Sequence, residues 1–192
     1  MLTDTGTLLS KMIGMYTRNG LNHASIAFDE ELTEMYSFGR KYQSNPFIAG
    51  FVRENAGSGI FKGANCAILR CVVSTNEFEK IRGKIRHIEM NKKDYRYNFI
   101  GLLGIAVNRD IKREHAFFCS QFVATVMNEG DLQMFSVSPN LVQPCHFFDV
   151  ASLTEVYEGD LQSYLYQARD EEEELAPAQM GMWRHLALRL LA

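Results

Sequence analysis

The stretch Phe117-Phe118-Cys119-Ser120-Gln121-Phe122-Val123-Ala124-Thr125-Val126-Met127 predicts the central element of the fold. After the cysteine, apolar residues recur at the spacing of an α-helix, which indicates a buried helix with a thiol in its first turn. Unpaired peptide N–H groups and the positive end of the helix dipole favour a thiolate at that position. Cys119 is therefore a candidate nucleophile.

A nucleophilic cysteine needs a base, and the best candidate is His23. It lies in residues 21–29, where alternating apolar residues predict a half-buried strand. Residues 35–40 predict a second strand after an acidic turn. Paired as a hairpin, the two strands would hold a third polar group beside the imidazole.

Three blocks of the sequence carry a resemblance to a known family. Residues 22–27 (Asn-His-Ala-Ser-Ile-Ala), 36–41 (Tyr-Ser-Phe-Gly-Arg-Lys) and 118–124 (Phe-Cys-Ser-Gln-Phe-Val-Ala) resemble the circularly permuted branch of the NlpC-like, papain-fold cysteine peptidases and amidases. In that branch the histidine strand precedes the cysteine helix, as it does here. The resemblance implies an α+β, papain-like fold in which a small antiparallel sheet packs against the nucleophile helix. It also implies Cys119 as nucleophile and His23 as general base.

The third polar position of the family falls on Ser37, where Glu, His, Asn or Gln is common in related enzymes. A serine hydroxyl is a weaker orienting group for imidazole than an acid or an amide. Two alternatives stay open from the sequence. An acid such as Glu54 could orient His23, or water could do so.

The resemblance implies a cysteine hydrolase that cleaves an amide in a peptide or a peptidoglycan-derived fragment. A thioesterase or acyltransferase acting on lipid acyl groups is the nearest alternative, and a catalytically inactive binding module with the same fold is another. The expected partners are therefore a small peptide, an amide or an acyl lipid. No cofactor is expected, and no metal, because no pair of possible ligands has helix or zinc-knuckle spacing.

Length and charge set further expectations. The 192 residues are 46% apolar, which is enough for one sizeable core. Residues 1–168 are expected to form the hydrolase domain, and residues 169–192 an acidic linker and a C-terminal amphipathic helix. That helix is expected to dock on the domain, with a homodimer as the alternative. A net charge of −3 argues against nucleic acid as the main partner, although local basic patches stay open.

The chain is expected to be cytoplasmic. Its first residues lack the pattern of a secretory signal, and no apolar run reaches the roughly 18 residues needed to cross a bilayer. The four scattered cysteines fit a reducing compartment.

Other segments yield simpler predictions. Glu129-Gly130 predicts the end of the cysteine helix, with glycine in a left-handed cap. The remaining predicted elements are a helix over 7–18, a loop-rich excursion over 42–63, a strand over 66–73, an amphipathic helix capped by Ser74, a buried helix over 94–107, an extended segment over 138–148 and a final strand and turn over 156–165.

Overall fold

The computed structural model describes residues 1–4, 20–42 and 45–170, and these residues form an α+β fold. The helix predicted over residues 7–18 and the tail beyond residue 170 lie outside the described residues. The described strands are β1 (Leu2–Thr3), β2 (His23–Ala24), β3 (Ile26–Ala27), β4 (Met35–Tyr42), β5 (Asn45–Glu54), β6 (Asn65–Cys71), β7 (Arg96–Tyr97), β8 (Ala116–Phe117) and β9 (Leu153–Asp160). The described helices are α1 (Thr75–Met90), α2 (Phe99–Ala106) and α3 (Cys119–Glu129), and residues 161–170 are also helical.

Two small antiparallel sheets form most of the β structure. The first has the strand order β2-β1-β6-β9, and the second has the order β3-β4-β5. β7 and β8 add a short parallel ladder in which Arg96 pairs with Ala116. This ladder brings the segment before α2 next to the segment before α3.

The strand predicted around His23 is split between the two sheets. β2, which contains His23, pairs with β1, whereas β3 pairs with β4. Ser25 lies between β2 and β3, and its backbone N–H donates to the carbonyl oxygen of Met1 over 2.9 Å. The hairpin therefore starts after Ser25, and His23 itself belongs to the first sheet.

Residues 42–63, predicted to be loop-rich, contain the ten-residue strand β5. β5 runs antiparallel to β4, with Val52 opposite Ser37 and Glu54 opposite Met35. The loop prediction was wrong for residues 45–54, because proline and glycine usually interrupt strands, yet Pro46 is tolerated at a strand start. Residues 55–63 form turns and a short 3-10 helix, in agreement with the prediction. β5 ends at Glu54, whose side chain is buried.

α3 packs in the middle of the fold, against β2, β4 and α1. Its Phe122 is fully buried, and the Phe122 ring centroid lies 5.2 Å from that of Phe38 in β4 and 5.9 Å from that of Phe51 in β5. Full burial of a large apolar side chain contributes about 1.5–3 kcal/mol. These rings therefore hold the start of α3 against the second sheet.

α1 begins where the sequence predicts. The Ser74 hydroxyl accepts from the Glu77 backbone N–H over 3.3 Å, and the Glu77 carboxylate accepts from the Ser74 N–H over 2.6 Å. This capping box satisfies two helix-end donors. The buried stripe of the helix consists of Ile81, Ile85 and Ile88.

The apolar segment 94–107, predicted to be one buried helix, is divided. Its first part forms β7, and α2 starts after Asn98, whose side-chain oxygen accepts from the Gly101 N–H over 2.9 Å. Leu102 and Ile105 face the core, but the outer side of the helix is exposed. An unbroken apolar run cannot indicate which side of a helix is covered, so this part of the prediction was wrong.

The end of α3 differs from the predicted left-handed glycine cap. Gly130 has φ −78°, and the positive φ of 63° falls on Asp131 instead. Gly130 is needed for another reason, because a Cβ there would lie 2.6 Å from Cγ1 of Ile81. Glycine thus lets α3 approach α1 closely.

Toward its C-terminal end, the described chain also departs from the predictions. The segment over 138–148 is not extended throughout but contains two 3-10 turns, Pro139–Leu141 and Pro144–Asp149. β9 starts earlier than predicted, at Leu153, and helical residues 161–170 follow it.

Within the described ranges, every helix is too short or too polar to cross a membrane.

Candidate active site

Cys119 is the first residue of α3 and is only 4% exposed. Burial opposes the charged thiolate, but a hydrogen bond and the positive charge of His23, together with backbone hydrogen bonds from Ala24 and Ser120, outweigh it. The pKa of Cys119 is therefore lowered from the ordinary value of 9.0. This direction agrees with the sequence argument, since the N-terminus of a helix favours a negative charge.

His23 lies in β2 and is 7% exposed. Its Nε2 lies 2.8 Å from Oε1 of Glu54, so Nδ1 is the ring nitrogen left for Cys119. Burial disfavours the imidazolium, but the negative charges of Glu54 and Cys119 and their hydrogen bonds dominate, and they raise the pKa of His23 from 6.5 to about 10. The contact between the two groups therefore favours a thiolate beside an imidazolium, because it lowers the Cys119 pKa and raises that of His23.

Glu54, and not Ser37, is the polar side chain that contacts the His23 ring. The Ser37 hydroxyl is fully buried and donates to the carbonyl oxygen of Ala24 over 2.7 Å, so it supports the backbone of β2 rather than the His23 ring. The sequence left Glu54 open as an alternative, and the structure brings it to the ring from the end of β5. A carboxylate also binds an imidazolium more strongly than a hydroxyl does.

Ser25 completes a chain of polar groups that sequence reasoning missed. Its hydroxyl donates to Oε2 of Glu54 over 2.5 Å, while Oε1 of the same carboxylate faces His23. Both Glu54 and Ser25 are buried, at 9% and 3% exposure. The sequence signal that could have found Ser25 is its spacing of two from His23, which puts both side chains on one face of the predicted strand.

Gly39 keeps space beside this pair. A Cβ on Gly39 would lie 3.4 Å from Cε1 of His23 and 3.5 Å from Oε1 of Glu54. Any side chain longer than a methyl group would therefore press on the hydrogen bond between them. The position on β4 that faces the imidazole thus carries no side chain, and the acid comes from β5.

The residues before α2 lie next to Cys119. Tyr97 is half-buried, and burial together with the negative charge of Cys119 raises its pKa well above 10. Asn98 is fully buried and donates through Nδ2 to Oε1 of Gln121 over 3.1 Å. The same Gln121 oxygen accepts from the Phe118 N–H, so Asn98 helps to fix the start of α3.

Other candidate groups take structural roles. Nδ1 of His146 accepts from the Gln143 N–H over 3.2 Å, which stabilises a 3-10 turn. Burial raises the pKa of Cys66 to about 12 and also raises those of Cys71 and Cys145, so none of these thiols is activated. Within the described residues, no group of His, Cys, Asp and Glu side chains could hold a metal ion.

No family model, curated protein or solved structure matches this chain. What the site does is therefore inferred from its own geometry and charge.

Proposed function

We propose that this protein is a cysteine-dependent hydrolase of the circularly permuted, papain-like type. Cys119 is the nucleophile, His23 is the acid and base, and Glu54 orients the imidazole. The observation that carries the proposal is the continuous set of contacts among these three side chains. Opposite pKa shifts at a buried cysteine and histidine are typical of a nucleophile and its base.

The proposed reaction is acyl transfer through a thioester. The Cys119 thiolate attacks the carbonyl carbon of an amide, and the new C–S bond forms as the carbonyl π electrons move to oxygen. The His23 imidazolium then gives its proton to the leaving nitrogen, and the C–N bond breaks. His23, now neutral, takes a proton from water, which attacks the thioester and releases the acid and the thiolate.

The start of α3 supplies the charge stabilisation that this reaction needs. The backbone N–H of Cys119 lies at the N-terminus of the helix, where peptide dipoles favour negative charge. It is the proposed donor to the oxyanion of the tetrahedral intermediate. Tyr97 is close enough to Cys119 to feel its charge, but its raised pKa keeps the phenol neutral at ordinary pH.

The order of the elements also supports the permuted family. The strand with His23 precedes the helix with Cys119, and that helix packs against β4 of a small antiparallel sheet. Amide cleavage in a peptide or peptidoglycan-derived fragment is the proposed reaction, by resemblance. Glu54 weighs against the inactive binding module, because a weak third group at Ser37 would have favoured such a module.

The reactivity of Cys119 tests the proposal. The intact protein is treated with iodoacetamide across a pH series, and each cysteine is followed by peptide mass spectrometry. Cys119 is expected to react at a lower pH than Cys71 and Cys145 and to outpace both below pH 9, because its pKa is lowered while theirs are raised. His23→Ala should abolish this advantage. A Cys119 that reacts no faster than the other two thiols would overturn the proposal.

A positive result leads to a substrate screen. Peptide amides, acyl thioesters and phospholipid esters are compared with wild-type protein and with Cys119→Ala as the control. Amide hydrolysis that disappears in the variant supports the peptidase or amidase assignment. Turnover of the ester or thioester alone would replace it with the acyl-lipid alternative.

A further inference from the structure

The outer side of α2 is an apolar surface open to solvent. It consists of Ile100 and Leu103 of α2 and of Val107, which directly follows the helix, and they are 48%, 60% and 64% exposed. They lie on one side of the helix, since three or four residues separate successive members. A helix that is apolar on all sides is normally buried, and an exposed apolar patch usually marks a surface that something covers.

Exposed basic residues are concentrated in the two chain segments that adjoin α2. One segment leads into β7, and the other connects α2 to β8. The β7–β8 ladder holds the two segments together, and the Arg96 N–H donates to the His115 carbonyl oxygen over 2.8 Å. The exposed basic residues are Lys92, Lys93, Arg96, Arg109, Lys112 and Arg113. The acids in the same segments are Asp94, Asp110 and Glu114. Asp110 accepts from Asn140 over 2.6 Å, and the excess of positive charge contrasts with the net charge of −3 of the whole chain.

We propose that this α2 surface, the three apolar residues with the basic residues of the adjoining segments as their rim, docks the protein on an anionic lipid bilayer. Aliphatic side chains beside lysine and arginine suit the boundary between acyl chains and negatively charged headgroups. Long basic side chains place their charges at the headgroups while their stems cover apolar surface.

Charge complementarity selects the bilayer over a second copy of the chain. A two-fold dimer through α2 would bring each basic rim against the same rim of its partner, because such an interface uses one patch twice. Like charges would then oppose the association. An anionic surface instead complements both the rim and the apolar centre.

Docking through α2 would place the bilayer beside the nucleophile helix. α2 is tied to α3 through the Asn98–Gln121 hydrogen bond and through contact of Leu102 with the buried ring of Phe118. The binding surface and the candidate site are nevertheless made of different residues. The inference therefore stands whether or not Cys119 is catalytic.

Vesicle cosedimentation of the full chain tests the inference. Phosphatidylcholine vesicles are compared with vesicles that also contain phosphatidylserine, and binding is expected only in the second case and to weaken with added salt. Lys112→Gln combined with Arg113→Gln should weaken binding roughly 25-fold, about fivefold for each charge removed. Lys62→Gln with Arg86→Gln, also exposed, is the matched control and should bind as the wild type does.

A second pair of variants tests the apolar centre. Ile100→Ser with Leu103→Ser should weaken binding at least roughly tenfold, because each removes apolar area that would enter the lipid. Val72→Ser with Val156→Ser changes exposed apolar residues near β6 and β9 and should have no effect. Circular dichroism verifies that each variant is folded, and Cys119→Ala should bind like the wild type even if the catalytic proposal fails.

Several results would overturn the proposal. One is equal binding to both kinds of vesicle, and another is binding that neither α2 variant changes. A third is a wild-type protein that does not bind vesicles but forms a dimer in sedimentation equilibrium, when Leu103→Ser makes that dimer dissociate. That result would make the α2 surface an interface between copies.

Discussion

The 2.8 Å contact between Nε2 of His23 and Oε1 of Glu54 joins the two antiparallel sheets. His23 belongs to β2 of the first sheet and Glu54 to the end of β5 in the second. The two sheets therefore meet at a buried imidazole and a buried carboxylate, and the sulfur of Cys119 approaches the same ring from α3. We therefore expect the reactivity of Cys119 to depend on a contact between distant parts of the chain.

Replacing Glu54 should lower the fraction of Cys119 that is present as thiolate. In Glu54→Gln the ring loses a charge-assisted hydrogen bond worth about 1.5–3 kcal/mol. We expect the His23 pKa to fall and Cys119 alkylation at neutral pH to slow roughly 10- to 100-fold. Glu34→Gln is the control, because the Glu34 carboxylate pairs with the Arg82 guanidinium at 2.6 Å and not with the His23 ring. Equal rates in Glu54→Gln and wild type would contradict the orienting role.

The two buried serines should behave differently. Ser25→Ala removes a donor to the Glu54 carboxylate, and we expect roughly tenfold slower alkylation of Cys119, equivalent to about 1.4 kcal/mol. Ser37→Ala removes a bond to the Ala24 backbone and should lower the free energy of unfolding by about 0.5–1.5 kcal/mol without a comparable change in alkylation rate. Urea denaturation and the alkylation assay separate the two effects. A larger rate loss in Ser37→Ala would restore Ser37 to the site.

The pH dependence should have two limbs of opposite origin. Since the Cys119 pKa lies below 9.0, the rate of Cys119 alkylation should increase with pH at values below 9.0, as the thiol loses its proton. Since the His23 pKa is raised to about 10, the imidazolium should persist up to that pH, and hydrolysis should decline above it when the proton for the leaving group is lost. Titration of the His23 Cε1 resonance by NMR measures the second limb directly. A midpoint near 6.5 would show that Glu54 and Cys119 do not hold the proton.

Two helix glycines should respond in opposite ways to alanine. A Cβ on Gly83 in α1 meets no atom within 4 Å, so Gly83→Ala should stabilise the fold by about 0.5–1 kcal/mol through helix propensity. A Cβ on Gly104 in α2 would lie 2.6 Å from the Arg109 carbonyl oxygen, so Gly104→Ala should destabilise it by about 1–3 kcal/mol. Urea denaturation measures both. A stabilising Gly104→Ala would mean that the loop after α2 moves away at little cost.

The elements that were predicted well are those with local signals. The capping box at Ser74 and the apolar spacing after Cys119 specify two helices from neighbouring residues alone. β5 was missed because Pro46 and glycine outweighed its strand signal, and pairing with β4 supplied the stability that local propensity lacked. The exposed side of α2 was missed because a fully apolar run has no polar face to indicate solvent.

The sequence by itself determined an α+β chain and the candidate pair, a thiol at a helix N-terminus and a histidine on an earlier strand. Only the tertiary structure decided that Glu54 faces His23, that Ser25 supports this carboxylate and that Ser37 bonds to the backbone instead. The physical reason is distance along the chain. Helix starts depend on contacts within one turn, whereas the partner of His23 lies 31 residues away and depends on how two sheets meet.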